Sequence, residues 1–122
     1  MWFTMTPQIL EERLIGFAVT IVSVVESLPN SKAGNHIANQ LIRSGTSPAP
    51  NYGEAQSAES RSDFVHKMKI ALKELRETIV WLKIIARKPL GSCTEIPAAI
   101  AECDELIAIF VSSTKTAATN AQ

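Results

Sequence analysis

Apolar residues recur three and four positions apart in four successive stretches of this chain, a period that suits amphipathic helices and not strands. In the first stretch Leu10 is followed by Leu14, Phe17, Ile21, Val25 and Leu28, which predicts a helix over about residues 8–28. Its β-branched cluster Ile21, Val22, Val24 and Val25 would suit a strand if read alone. A strand breaks the longer period, however, and Pro29-Asn30-Ser31 supplies a stop and turn.

The second stretch starts near Lys32, carries Ile37, Leu41 and Ile42, and runs to about Ala58 past Gly45, Pro48 and Pro50. Each proline lacks an amide hydrogen, so the carbonyls of Ser44 and Thr46 lose their helical partners and a kink is expected at Pro48/Pro50. The third helix, about 61–88, opens on Ser60-x-x-Asp63, which has the form of a capping box. Its stripe reads Phe64, Met68, Leu72 or Ala71, Leu75, Ile79, Leu82 and Ala86, and Pro89-Leu90-Gly91 ends it. For the fourth helix, about 95–112, Thr94 is the expected cap and Pro97 is tolerated in the first turn. The seam there is Ile96, Ile100, Cys103, Ile107 and Phe110. The remainder, SSTKTAATNAQ, offers nothing large to bury and is expected to be a disordered tail over about 113–122.

At 122 residues the chain fits a single domain, 1–122. Short connections make successive helices antiparallel, so the expected fold is all-α: an up-down-up-down four-helix bundle whose second helix is kinked.

The outer faces hold more apolar surface than a bundle core needs. On the first helix apolar positions spread from Val24 through the core row to Ile15, Val19 and Val22, an arc of roughly 220°. The rest of that helix carries Gly16, Thr20, Ser23 and Ser27, small residues that form either a solvated face or one that another helix can approach closely. The third helix has surplus apolar residues at Val65, Val80, Trp81 and Ile84. Trp81 either fills the bundle flank or anchors a subunit contact, where tryptophan often dominates the energy. A homo-oligomer is the expectation.

Chemistry is thinly represented. His36 and His66 are far apart and read as surface residues, and Cys93 and Cys103 form no ligand set with them and read as reduced thiols. A di-iron bundle wants inward Glu-x-x-His pairs, and none occurs. Glu74 and Glu77 are expected to make surface ion pairs with Lys73, Arg76 and their neighbours. The five glycines are scattered, so there is no phosphate loop. No catalytic set, cofactor, metal or small-molecule substrate is implied. With no apolar run long enough to span a membrane and no basic-then-apolar leader, a cytoplasmic address is expected.

Twelve basic and twelve acidic residues cancel, so nucleic acid would have to be bound through a local patch. One exists: Lys69, Lys73, Arg76, Lys83 and Arg87 project within about 40° of one direction along roughly 27 Å of helix. The row can track a phosphate backbone without reading bases. It can equally be a solvated face, or pair with acids such as Glu102 and Glu105 of another subunit.

Between Gln40 and Ile85 stand Arg43-Ser44-Gly45-Thr46-Ser47, Asn51-Tyr52, Glu54-Ala55, Ser62-Asp63-Phe64, Lys67, Ile70, Lys73-Glu74, Glu77-Thr78 and Trp81-Leu82. With these marks the chain resembles the bacterial four helix bundle protein family, also known as 23S rRNA-intervening-sequence proteins, and the resemblance extends more weakly from Arg13 to about Leu106. It implies an antiparallel four-helix bundle assembled as a ring, commonly a pentamer, with no known enzymatic activity. Some relatives are encoded inside rRNA intervening sequences. A basic relative, the accessory protein of diversity-generating retroelements, binds a reverse transcriptase and nucleic acid. Two departures stand out: Pro50 replaces a residue that is more often small, and the net charge is neutral where the retroelement relative is strongly basic.

Within the shared motif of Arg43, Ser47, Asn51, Tyr52 and Glu54, one reading has Arg43 and Asn51 answer the unpaired groups of the kink. Glu54 would then pair with Arg43 or a nearby lysine. A binding site at the kink is the other reading.

Overall fold

Three helices begin where a hydroxyl takes up a free amide. Thr6 accepts from the Ile9 N–H, Ser31 from Gly34 and Ser60 from Asp63, which starts α1 (Pro7–Ser27), α2 (Lys32–Thr46) and α4 (Arg61–Arg87). Asp63 also accepts from the N–H of Glu59, the residue before the cap, at 3.4 Å, so its carboxylate takes up one more free amide at this start. Between α2 and α4 lies α3 (Pro48–Gln56), and α5 (Ile96–Asn120) closes the chain. The structure, a computed structural model, describes residues 5–120.

Ser47, between α2 and α3, keeps right-handed helical angles, φ −73° and ψ −26°. Its N–H reaches the Arg43 carbonyl at 3.2 Å, and the Asn51 N–H reaches the Ser47 carbonyl at 3.1 Å. The pair is therefore one bent helix. Pro48 sits in the first turn of α3, where its missing N–H costs least, and its ring is buried.

The molecule is an all-α, up-down-up-down bundle of α1, the bent α2–α3, α4 and α5. Each packs on its two neighbours, while α1 and α4 stand diagonally opposite with no close backbone approach. The connection from α4 to α5 turns at Gly91, whose φ of +77° disfavours any side chain; a Cβ there would also lie 2.4 Å from the Ser27 carbonyl oxygen.

The buried rows depart from the expected stripes at definite positions. On α1 they are Leu10, Leu14, Phe17, Ile21 and Val24, with Val25 and Leu28 only partly covered. On α4 they are Met68, Ala71, Leu75, Thr78, Leu82 and Ile85: of the pair Leu72 or Ala71 it is Ala71 that is buried, and Thr78 and Ile85 take places expected for Ile79 and Ala86. On α5 Ala99 and Leu106 replace Ile100 and Ile107. All three rows step by three and four in alternation, the geometry of near-parallel helices that interdigitate. Where two adjacent residues are both apolar, the facing helix chooses between them.

Two boundaries move as well. The first α5 carbonyl bonded within the helix is that of Glu95, to the Ala99 N–H at 2.8 Å, one position beyond the expected cap Thr94. At its other end α5 continues to Asn120, so residues 113–120 are helix and not a disordered tail; residues 121–122 lie outside the described residues. Thr114 and Ala117 prolong the face of Leu106 and Phe110, and no glycine or proline interrupts the turn.

Candidate functional site

The motif around the bend is chiefly an anchor between α2 and α4. Arg43 does not serve the kink: its guanidinium crosses to Glu74 at 2.8 Å and Glu77 at 2.6 Å, so these carboxylates are taken from α2 and not by Lys73 and Arg76 of their own helix. The planar, forked guanidinium meets both acids where the two helices converge, one nitrogen to each carboxylate. Ser47 donates to Glu74 at 2.9 Å. Beneath them the Thr78 hydroxyl donates to the Glu74 carbonyl at 2.8 Å and pairs with the buried Ser44 hydroxyl at 2.9 Å, which is how a threonine can occupy the α4 seam.

Asn51 serves the bend through its backbone N–H, and among the described residues its side-chain amide has no hydrogen-bond partner. Glu54 faces Lys67 at 3.6 Å. Tyr52 is buried, edge-on to Phe110 at 5.8 Å, and burial together with Glu11 raises its phenol above the usual range.

Trp81 is half-buried on the flank between α2 and α4. Its ring meets His36 edge-on at 5.8 Å and its indole N–H donates to Glu77 at 3.1 Å. That hydrogen bond, and next the one from Arg43, hold the Glu77 carboxyl below the ordinary carboxylate value. A carboxyl depressed in the folded state adds stability above its unfolded value, and loses it as pH falls through the folded one. Trp81→Phe is therefore expected to move the Glu77 titration, followed by side-chain NMR, upward and to reduce the acid-induced fall in urea midpoint below about pH 5. A Glu77 that titrates alike in both proteins would contradict this.

None of the remaining chemistry converges. Cys103 is buried, hydrogen-bonds the Leu75 carbonyl at 3.3 Å, and has its thiol pushed up to about 12, chiefly by burial. His36 and His66 are both exposed, and no cluster of three metal-ligating side chains occurs among the described residues. Among the described residues no helix is long and apolar enough to cross a membrane.

Three surfaces are left. Gly16 and Thr20 open into a groove of about 330 Å³ between α1 and α5, beside Arg13 and Glu102, and Ser23 lies exposed one turn further along. Arg13 bridges Glu102 at 2.6 Å and Glu105 at 3.2 Å, so the acids considered as partners for another subunit are engaged by their own chain. The second surface is the outward row of α1, where Ile15, Val19 and Val22 are 44%, 61% and 38% exposed. The third is α4: Lys69, Lys73, Arg76, Lys83 and Arg87 are all exposed, and none makes an ion pair among the described residues. Val80, 55% exposed, stands among them.

The sequence pattern of the 23S rRNA-intervening sequence protein family matches residues 9–112. The fold is similar to the crystal structure of a protein of unknown function from the S23 ribosomal protein family of Bacteroides thetaiotaomicron, with a TM-score of 0.80 and 32% identity, covering 89% of this chain and 97% of that one. Among functionally curated proteins there is no significant match.

Proposed function

Given that the chain belongs to the 23S rRNA-intervening sequence protein family, we propose that it is a self-assembling helical scaffold or adaptor with no catalysis of its own, acting in the cytoplasm as a ring, commonly of five copies in proteins it resembles. The observation that carries this is the outward row Ile15, Val19 and Val22 of α1, an apolar stripe turned away from its own core. The Arg43, Ser44, Glu74 and Thr78 anchor holds α2 and α4 in register, so the outer faces are presented on a rigid frame.

Light scattering of the purified protein at micromolar concentration is the test. A mass near five times the 13.3 kDa chain supports the ring. A smaller multiple supports assembly but overturns the number five, and a monomer overturns the proposal. The cation row of α4 favours one competing role, an accessory protein on RNA or DNA beside a reverse transcriptase. Binding to a structured RNA that weakens steeply with salt would favour that role.

A further inference from the structure

The two most exposed large apolar residues of the described chain are Val19 on α1 and Val80 on α4. Each is the centre of a row directed away from the core, and the rows share one spacing: 12, 15, 19, 22, 26 on α1 and 73, 76, 80, 83, 87 on α4. On α1 the row is Glu12, Ile15, Val19, Val22 and Glu26; on α4 it is Lys73, Arg76, Val80, Lys83 and Arg87. The acids flank Val19 by seven residues on either side, about 10.5 Å along the axis and within about 20° of its direction. Lys73 and Arg87 flank Val80 at the same intervals.

We infer that these rows are the two halves of one subunit contact, in which α1 of one copy docks on α4 of a second copy of this chain. The proposal rests on the self-assembly proposed above and names its faces. Steps of three and four on both helices are what near-parallel packing needs. With Val19 set on Val80, the aliphatic stems of Arg76 and Lys83 cover Ile15 and Val22 while their charged ends reach solvent. The charges at the row ends then meet in opposite signs. All six charged residues of the two rows lack an ion-pair partner among the described residues, whereas Glu102 and Glu105 already have Arg13.

Because α1 and α4 are diagonal, one copy presents both faces at once without their meeting. The contact is therefore head-to-tail, and it closes as a ring when the rotation between copies allows. In an up-down-up-down bundle α1 and α4 point the same way. Copies standing the same way up thus pair them in parallel, Glu12 with Lys73 and Glu26 with Arg87.

The test is a charge exchange read by light scattering in low salt, with circular dichroism confirming that each protein is folded. Lys73→Glu with Arg87→Glu, and separately Glu12→Lys with Glu26→Lys, should each weaken association at least tenfold, and all four changes in one chain should restore the wild-type mass. Val19→Asp should also dissociate the assembly, independently of salt. An assembled wild type whose mass none of these variants changes would overturn the pairing and leave self-assembly standing; a monomeric wild type would overturn both. RNA binding lost in the Lys73, Arg87 variant with its assembly intact would assign the α4 row to nucleic acid and overturn the contact.

Discussion

Phe110→Ala is expected to lower unfolding stability by about 3–5 kcal/mol, a large part of the roughly 5–15 kcal/mol that holds a domain of this kind together. Phe110 is fully buried on α5 and meets Tyr52 of the bent helix edge-on, at 5.8 Å and 65° between ring planes. Removing the ring opens a cavity where side chains of α3 and α5 meet across the core, and neither helix can close it without shifting against its own neighbours α1 and α4. In a double-mutant cycle with Tyr52→Ala the pair should couple by about 0.5–1.5 kcal/mol, the contribution of an edge-to-face contact beyond its buried area. Urea unfolding checks both numbers, at one fixed protein concentration because assembly would make stability depend on it. A loss below about 1 kcal/mol would place Phe110 outside the core.

Gly45→Ala and Gly53→Ala are expected to act in opposite directions although both glycines are helical. At Gly53 a Cβ meets nothing within 4 Å, so alanine should stabilise by about 0.5–1 kcal/mol through helix propensity. At Gly45 the same atom would stand 2.7 Å from both γ carbons of Ile21, which is fully buried and has no free space to turn into. The overlap should outweigh the propensity gain and leave a net cost of about 1–3 kcal/mol. Ile21→Ala removes the two γ carbons, so Gly45→Ala made in that background should cost less than it does alone. Equal stabilisation at the two glycines would mean that α1 does not approach α2 as closely as described.

Gly45 also accounts for part of the motif that marks the family. Arg43-Ser44-Gly45-Thr46-Ser47 places a charged fork toward α4, a hydroxyl into the seam and a bare Cα against α1 in three successive residues. The order of types was plain in the sequence, but their partners were not, because Glu74, Glu77 and Thr78 lie 31 to 34 positions away. The proline bend beside them offers unpaired groups close in sequence, and the sequence pattern therefore points there and not to α4. The same limit hid Glu12 and Glu26: single acids on a helix surface carry no signal until the spacing of a second, distant helix is laid beside them.

What the sequence determined by itself is whatever depends on neighbours along the chain. The caps at Ser31 and Ser60, the stop at Pro29, the bend at Pro48 and the three-and-four spacing follow from bonds and periods that span a few residues. They suffice for four helices and a bundle. The tertiary structure decided which of two adjacent residues enters the core, as with Ala99 over Ile100, Leu106 over Ile107 and even the polar Thr78 over Ile79. It also decided that Arg13 and Arg43 bind acids on other helices, and that the last helix runs to Asn120. Neighbouring positions on a helix differ by about 100° in direction, and either can seat an apolar row; only the shape and polar groups of the facing helix make one of them lower in free energy.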